Sequence, residues 1–568
     1  MNDIIVVKPE KCVGCNACIR NCPAPEANIT KMLENGKYIT AVNSDKCIGC
    51  GQCIRTCTHN ARDYIDDTRM CMQRLTKDKT IILVSPAIRT AFPNHWVGIL
   101  DWFKSKGCII YDVSFGADIS TWAHLRAFEG RKISKVISQS CPAVIRYIHT
   151  YEPSIIKNIS PVLSPVGCIV AYIKKYLRRT NPIAVLSPCI AQKTEFTDSG
   201  LVEYNITFRK LKEYFDSNGI VISAHADNIY DYQFDDQQGQ FGTVYTRPGG
   251  MKDNLILHDS ELNILNSEGV FRIYDELGVY ANIQDVKRPE LFDILSCEFG
   301  CNHGPASASK SNAFDSMHIM KQIEGEAKKR RKTGVFRPGE DKLFKKFDEE
   351  LVLDDFLKSF KSAPPSPVLS EKQLDAVYKL MGKETESDKH YDCRACGYNS
   401  CRDMATAICR GLNYPSNCVV YTKKELAVCH DELKSKEEKN NFTKASCFAL
   451  SNELCSKIDN IKKNLATISE STNKTSDRAK VVNDLLTNII TFCKNNEILT
   501  SDSISQMIVI LETTLKAFSA LDDNISATNQ SSAMINQSVS EVKELIESIN
   551  KTLSNTSDSD ADENSILN

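Results

Sequence analysis

The stretch Leu295–Pro305, LSCEFGCNHGP, holds two cysteines directly after an apolar run and before a Gly-Pro pair. The apolar run, Leu291–Leu295, predicts a buried β-strand, and the Gly-Pro pair predicts a break in regular structure. In open α/β folds, ligands bind beyond the carboxyl ends of strands. We therefore expect Cys297 and Cys301 to lie in a ligand-binding loop at the carboxyl edge of a sheet.

Two earlier stretches have the same form. Apolar runs at residues 133–138 and 183–186 lead into QSCP (residues 139–142) and SPCI (residues 187–190), and so into Cys141 and Cys189. Because the carboxyl ends of parallel strands share one edge, the four cysteines can converge on one site. Four thiolates are the ligand set of a cubane [4Fe-4S] cluster.

These three loops, Ser140-Cys141-Pro142, Pro188-Cys189-x3-Lys193 and Cys297-x3-Cys301, resemble in order the signature loops of the [FeFe]-hydrogenases. The resemblance extends over residues 1–420. It implies that the cubane of the H-cluster is held by Cys141, Cys189, Cys297 and Cys301. It also implies that Cys301 bridges this cubane to a diiron subcluster with CO, cyanide and dithiolate ligands.

Length, net charge and cysteine spacing limit the classes of protein to which this sequence can belong. The chain has 568 residues, which predicts several domains, and its net charge of −2 argues against a nucleic-acid-binding surface. The 24 cysteines have the spacings of metal sites rather than of a disulfide framework. Thiolate-ligated iron requires a reducing compartment, so we expect a cytoplasmic protein. We see no signal peptide in residues 1–8 and no apolar run that could span a membrane.

The N-terminal segment, residues 1–75, contains two compact cysteine runs. Their spacing, C-x2-C-x2-C-x3-C, is that of bacterial two-cluster ferredoxins, in which the fourth cysteine of each run serves the other cluster. The expected ligand sets are Cys12, Cys15, Cys18 and Cys57 for one cubane, and Cys22, Cys47, Cys50 and Cys53 for the other. The alternative is zinc, although compact runs of four cysteines suit a cubane better. Such a segment carries electrons.

Residues 78–362 alternate between short apolar runs and amphipathic stretches. Thr80–Val84 and Cys108–Val113 predict strands, whereas Trp96–Lys104 and Ile119–Phe128 predict helices. This alternation predicts an α/β domain with a parallel sheet. The glycine-rich segment Phe241–Gly250 is either a turn or, as the resemblance implies, a wall of the cluster cavity.

A small module follows the proline-rich linker at residues 363–367. In residues 368–424, Ser370 and Gln373 predict a capping box and a short helix. The next four spaced cysteines are Cys393, Cys396, Cys401 and Cys418. They resemble the [4Fe-4S] module of several anaerobic redox proteins, including sensory-type hydrogenases. Zinc remains an alternative, and Cys409 could replace Cys418.

Residues 425–552 lack glycine and proline and keep apolar residues at steps of four and three. This spacing predicts a coiled coil or helical bundle, most simply the contact of a homodimer. The region is either a dimerisation stalk or a signal output towards a signalling partner. Residues 553–568 are polar and acidic, which predicts a disordered tail.

Three residues depart from the pattern of catalytic [FeFe]-hydrogenases. Ser140 replaces the cysteine that passes protons to the dithiolate, and a hydroxyl is a far weaker acid than a thiol. Gln192 stands where the family has lysine, with Lys193 one place later, so the family's usual contact to a cyanide ligand is altered, though Gln192 could still donate a hydrogen bond. Leu295 replaces a methionine. The departures resemble the sensory subgroup of the family.

We therefore expect a multidomain α/β iron-sulfur protein that interconverts H2 with protons and electrons. Electrons would pass through the ferredoxin-type clusters to a partner such as ferredoxin. Slow proton transfer would suit H2 or redox sensing. The alternative is a non-catalytic protein of the Narf type, which keeps the cubane, lacks the diiron subcluster and acts in assembly or partner binding. The sequence leaves open whether the diiron subcluster is present and which direction of H2 chemistry matters.

Overall fold

The computed structural model describes residues 4–34, 36–225, 232–308, 312–331, 341–360 and 369–437, together with Thr487. The linker at 363–367, nearly all of the predicted coiled-coil region and the predicted tail lie outside the described residues. Among the described residues, no helix combines the length and apolarity that crossing a membrane requires.

The ferredoxin-like segment (residues 4–64) is built from two antiparallel strand pairs and two short helices. Its elements are β1 (Ile5–Val7), α1 (Ala17–Arg20), β2 (Asn28–Met32), β3 (Tyr38–Val42), α2 (Gln52–Thr56) and β4 (Arg62–Tyr64). Strand β1 pairs with β4 and β2 pairs with β3. Helices α1 and α2 begin after Asn16 and Gly51, whose φ values of 58° and 72° are left-handed. These residues let each cysteine loop curl tightly before its helix begins.

The described residues of the central domain (residues 68–360) form seven strands in two parallel sheets. The strands are β5 (Ile81–Val84), β6 (Ile109–Asp112), β7 (Val136–Ile137), β8 (Ile183–Ser187), β9 (Tyr204–Thr207), β10 (Ile264–Glu268) and β11 (Leu291–Leu295). One sheet has the order β6-β5-β8-β9 and the other the order β10-β11-β7. We expected a single sheet edge. The cysteine loops instead follow strands of both sheets, and the carboxyl ends of the two sheets meet at one cavity.

The helices of the central domain cover these sheets. They are α3 (Thr68–Arg74), α4 (Ile88–Ala91), α5 (Trp96–Ser105), α6 (Val113–Glu129), α7 (Pro142–Tyr151), α8 (Pro165–Lys175), α9 (Gln192–Ser199), α10 (Phe208–Ser217), α11 (Gly250–Ile256), α12 (Ile273–Asn282), α13 (Ala313–Arg330) and α14 (Lys342–Glu350). Every residue of β5, β8 and β11 is buried. Apart from Asp293 in β11 and Ser187 at the end of β8, these strands are apolar, as expected of strands that are buried on both faces of a parallel sheet.

Both helices that the sequence predicts for the central domain are found, and the second of them is longer than expected. Helix α5 matches the predicted stretch, but α6 begins at Val113 because the side chain of Asp112 accepts a hydrogen bond from the Ser114 N–H at 2.9 Å. This contact is an N-terminal cap. The mixed α/β character that the sequence predicts is confirmed for the central domain.

The C-terminal cysteine module (residues 369–437) is helical. Its helices are α15 (Glu371–Leu380), α16 (Glu386–Lys389), α17 (Cys401–Cys409) and α18 (Val419–Glu437). Ser370 and Gln373 form the predicted capping box at the start of α15. The module packs on the ferredoxin-like segment, where Ile19 and Leu374 belong to the same buried cluster.

Candidate iron-sulfur sites

Four cysteines that follow strands of the central domain line one cavity, here called the central cavity. They are Cys141, Cys189, Cys297 and Cys301. Cys141 caps the start of α7 and is 8% exposed, while Cys189 and Cys297 each come two residues after a strand ends. The three loops that the sequence singled out therefore meet at one place.

The four thiols lie in mutual electrostatic contact. Burial, followed by the neighbouring thiols Cys141 and Cys297, raises the pKa of Cys189 and also that of Cys301. Burial and then Cys141 raise the pKa of Cys297 to about 12. Four buried thiols in contact resist ionisation unless a positive centre compensates their charge. This donor set fits an iron-sulfur cubane, which supplies that charge.

Two of the departures from the family pattern, Ser140 and Leu295, are on the wall of the central cavity. The hydroxyl of Ser140 lies 3.7 Å from the sulfur of Met251, to which it donates a weak hydrogen bond. Gln192 lines the cavity as well, and its buried carbonyl oxygen Oε1 has no hydrogen-bond partner among the described residues. A buried polar atom without a partner is costly, so this oxygen is open to a donor that the described residues do not provide.

Lys193 does not line the central cavity. Its ammonium group forms an ion pair with Asp67 instead, and the other oxygen of Asp67 accepts a hydrogen bond from the Asn205 N–H at 3.0 Å. Helix α9 begins at Gln192, and neighbouring residues of a helix point about 100° apart. The two side chains therefore diverge, and Gln192 lines the cavity while Lys193 extends to Asp67.

The cavity contains an acid that the sequence analysis did not single out. Glu195 lines the cavity, and the hydroxyl of Ser164 donates a hydrogen bond to it. Burial raises the pKa of Glu195, and this hydrogen bond lowers it by less. The sequence signal that could have identified Glu195 was its spacing from Gln192, because residues that are three apart share one face of a helix such as α9. Ser164, 31 residues away in the chain, gave no such signal.

The glycine-rich segment forms part of the cavity wall, as one of its two interpretations required. Gly242 and Tyr245 line the cavity. The carboxyl group of Asp118 accepts hydrogen bonds from the N–H groups of Gln240 and Gly242, both at 2.6 Å. Burial raises the pKa of Asp118 to about 7 against the effect of these two bonds. Asp118, a residue of α6, thus holds this part of the cavity wall in place through two hydrogen bonds from the backbone of the wall.

The ferredoxin-like segment brings its eight cysteines into two groups. Cys15 lies near Cys12, Cys18 and Cys57. In the second group, Cys22 lies near Cys47, and Cys50 and Cys53 both lie near this pair. The fourth cysteine of each run is therefore beside the other run, which is the crossed arrangement of two-cluster ferredoxins.

The second of these groups lies against the central domain. Cys50 and Cys297 line a common cleft, and Arg55 donates a hydrogen bond to the carbonyl oxygen of His303 at 3.1 Å. From α7, Arg146 donates a hydrogen bond to the carbonyl oxygen of Cys47 at 2.6 Å. The group around Cys50 is thus the neighbour of the central cavity.

The C-terminal cysteine module has one cysteine group. A small cavity is lined by Cys393, Cys396, Cys401 and Cys418, whereas Cys409 is not among the residues that line it. The thiol of Cys396 is near the other three, and burial raises its pKa to about 11.

Several contacts join this module to the ferredoxin-like segment. Asn16 donates a hydrogen bond to the side-chain oxygen of Asn417 at 2.7 Å, and the hydroxyls of Tyr38 and Ser416 are 2.6 Å apart. The Thr30 N–H bonds the Leu412 carbonyl oxygen at 3.0 Å.

No three His, Cys, Asp or Glu side chains in the described part of the chain stand close enough together to hold a single metal ion. A cubane is larger than one ion, and each of its four irons takes one thiolate. The four sulfur ligands of a cubane therefore lie farther from one another than the sulfur ligands of one zinc ion do. Each sulfur ligand of a zinc ion lies about 2.3 Å from the metal.

Comparison with protein-family models matches three segments of the chain. Residues 78–305 match the C-terminal domain of the iron-only hydrogenase large subunit. Residues 4–58 match a 4Fe-4S dicluster domain, and residues 390–420 match a model described as a putative Fe-S cluster. No curated protein matches the sequence.

Solved structures of [FeFe]-hydrogenases also match. One is a cysteine-to-histidine variant of apo [FeFe]-hydrogenase HydA1 from Chlamydomonas reinhardtii, at 13% identity and a TM-score of 0.38. Another, from a study of [FeFe]-hydrogenase inactivation by oxygen, has 14% identity and a TM-score of 0.39. Each match covers 53% of this chain and 100% of the other. The family models carry the assignment: residues 78–305 match the iron-only hydrogenase large subunit and residues 4–58 a 4Fe-4S dicluster domain, so the chain is a hydrogenase-like iron-sulfur protein with ferredoxin-type clusters.

Proposed function

We propose that this protein interconverts H2 with protons and electrons at an H-cluster, at low turnover, and that the reaction serves H2 or redox sensing. The observation that carries the proposal is the central cavity, where four cysteines and the departing residues Ser140 and Gln192 share one wall. The cavity offers the four cysteine ligands of a cubane and, beside them, a space lined by residues such as Ser140 and Gln192.

In this proposal, Cys141, Cys189, Cys297 and Cys301 would hold the cubane, and Cys301 would also hold a diiron subcluster with CO, cyanide and dithiolate ligands beside it. When bound, the diiron subcluster supplies the heterolytic cleavage of H2. The protein supplies the surroundings. The amide of Gln192 can donate a hydrogen bond towards a cyanide, a role that the ion pair with Asp67 denies to Lys193.

Proton movement is the slow part of the proposal. Ser140 offers a hydroxyl where catalytic relatives offer a thiol, and a hydroxyl is a poor general acid near neutral pH. Glu195 is the only carboxylic acid among the described residues that line the cavity. Its raised pKa keeps it protonated to a higher pH than an exposed glutamate, so it can hold a proton at the wall, bonded to Ser164.

Electrons would enter and leave through the ferredoxin-type clusters. The group around Cys50 shares a cleft with Cys297, while the C-terminal cysteine module contacts the ferredoxin-like segment through Asn417 and Ser416. We propose four cubanes per chain. One is in the C-terminal cysteine module, two are in the ferredoxin-like segment and one is in the central domain, and they follow one another in this order along the electron path. An external redox partner such as ferredoxin would exchange electrons with this series in a reducing compartment, the cytoplasm.

The sensing role rests on the departures and on the C-terminal region. A slow site that still reacts with H2 sets the redox state of the clusters according to H2 pressure. Helix α18 begins at Val419, directly after Cys418. We propose that the region after it forms a homodimer and reports the redox state to a signalling partner.

The second candidate is a non-catalytic protein of the Narf type, which would hold the cubane without the diiron subcluster. Ser140, Gln192 and Leu295 favour it, because they change the surroundings of the diiron subcluster while all four cubane ligands remain.

Exposure to H2 separates the two functions. Matured wild-type protein is oxidised and placed under H2, and cluster reduction is followed by visible absorbance. The proposal predicts slow bleaching under H2 and none under argon, and none for Cys301→Ala under H2. Dithionite should bleach the ferredoxin-type clusters in both proteins. Bleaching by dithionite alone in the matured wild type would contradict H2 chemistry and support the second candidate.

A further inference from the structure

Lys383 lies between α15 and α16 in the C-terminal cysteine module and is only 1% exposed. It lines the same small cavity as Cys393, Cys396, Cys401 and Cys418. Lysine is almost never fully buried unless it is paired. Its position beside a group of cysteines therefore requires an explanation.

The contacts of Lys383 leave it without a carboxylate partner among the described residues. Its ammonium group donates a hydrogen bond to the Asp388 carbonyl oxygen at 2.7 Å and lies 5.9 Å from the centre of the Tyr391 ring. It is close enough to the Cys401 thiol to act on it electrostatically, and both residues line the cavity. The Asp392 N–H lies 3.4 Å from the Cys401 sulfur. Cys401 thus has a backbone donor at its sulfur and a buried lysine beside it in the cavity wall.

A cation at a ligand sulfur has a predictable effect on an iron-sulfur cluster. Net charge and hydrogen bonds to the sulfurs set the reduction potential of a cluster. Reduction adds one electron, so a neighbouring positive charge stabilises the reduced form more than the oxidised form. Because the site is buried, water screens this interaction weakly. A positive charge on Lys383 therefore raises the potential.

We propose that Lys383 sets the reduction potential of the cluster in the C-terminal cysteine module and raises it, so that an electron is held there, directly before α18. The inference rests on the proposed function only in that the module holds a cluster. The cluster accepts one electron, which comes from H2 oxidation in the central domain or from a reduced ferredoxin-type partner. Lys383 is a positioning and charge-setting residue, and it does not ligate iron.

The test is a redox titration of the full-length protein, with reduction by dithionite followed by spin-resonance spectra. Lys383→Met removes the charge, Lys383→Gln keeps a donor for the Asp388 carbonyl, and Lys383→Arg keeps the charge. Lys389→Met is the matched control, because this lysine is in the same module and its ion pairs are with Asp375 and Glu386. Iron content is measured first, with Cys401→Ala identifying the signal of the module.

At the wild-type midpoint of the module cluster, we expect the ratio of reduced to oxidised cluster to fall about tenfold or more in Lys383→Met and Lys383→Gln. A tenfold change corresponds to about 59 mV for one electron. Lys383→Arg and Lys389→Met should stay close to wild type.

Equal potentials in the wild type and the neutral variants would overturn the inference while leaving the cluster in place. Loss of the cluster in both neutral variants would overturn it in favour of a purely structural role. Unchanged iron content and spectra in Cys401→Ala would instead contradict the cluster itself, and with it this part of the proposed function.

Discussion

Gly51 of the ferredoxin-like segment lies directly against Pro305 of the central domain. A Cβ atom added at Gly51 would stand 2.5 Å from the Cβ atom of Pro305, and the φ of Gly51 is +72°. The cysteine loop that contains Cys50 therefore leaves no room for a side chain between Gly51 and the proline that follows the Cys301 loop. A close approach of this kind suits the proposed electron path between the two sites.

Substitution of Gly51 tests that contact. Gly51→Ala should lower the free energy of unfolding and slow the passage of electrons from the ferredoxin-like segment to the central domain, because the added methyl group must push the two loops apart. Gly200→Ala is the control, since Gly200 has a φ of +65° and no atom within 4 Å of its added Cβ. It should lose only the roughly 1–2 kcal/mol of a left-handed non-glycine residue. If Gly51→Ala and Gly200→Ala lose the same free energy of unfolding in denaturant titrations, and the central domain is reduced at the same rate in both, the contact between Gly51 and Pro305 does not have this role.

The crossed ligand sets predict which cluster each cysteine supports. Cys22→Ala should remove the cluster of the second run, and Cys57→Ala that of the first, each with a loss of about four irons per chain. Iron analysis and spin-resonance spectra measure this. Cys71→Ala is the control, because this buried residue of α3 belongs to none of the four sets. Loss of the cluster of the variant's own run would show uncrossed ligation.

The C-terminal cysteine module yields a similar prediction with an internal control. Cys401→Ala and Cys418→Ala should each remove one cubane, whereas Cys409→Ala should leave the iron content unchanged because Cys409 does not line the module's cavity. Metal analysis distinguishes the outcomes. Zinc in the wild-type module, or iron lost only from Cys409→Ala, would contradict the assignment.

Ser140→Cys should raise H2 turnover on the order of 100-fold, the lower end of what a positioned proton donor contributes. A thiol with a pKa near 8.5 donates protons that a serine hydroxyl does not. Ser140→Ala is the control and should remain about as slow as the wild type. Hydrogen evolution from a reduced dye measures the rates. A wild type as fast as its catalytic relatives, with no gain from Ser140→Cys, would make this an ordinary metabolic hydrogenase.

The apolar seams after residue 425 predict an oligomer, most simply a dimer. Multi-angle light scattering should give about twice the chain mass for the full-length protein and the chain mass for a version that ends at residue 437. A monomeric full-length protein would contradict the predicted seam.

The three cysteine loops of the central domain could be predicted because each follows a short apolar strand, a pattern that local sequence reveals. That Gln192 rather than Lys193 faces the cavity could not be predicted, since it depends on where α9 begins and on Asp67, 126 residues away. The burial of Lys383 was equally hidden. It depends on how a loop folds over cysteines that come later in the chain, and lysine is ordinarily expected at the surface.

We propose that the cavity beside Cys301 holds a diiron subcluster with CO and cyanide ligands. An infrared spectrum of the full-length protein after maturation tests this proposal, with Cys301→Ala matured in the same way as the control. We expect CO and cyanide stretching bands in the wild type that shift under H2, and no such bands in Cys301→Ala. A matured wild type with its full set of cubanes and no CO or cyanide bands would show that the cavity holds no diiron subcluster.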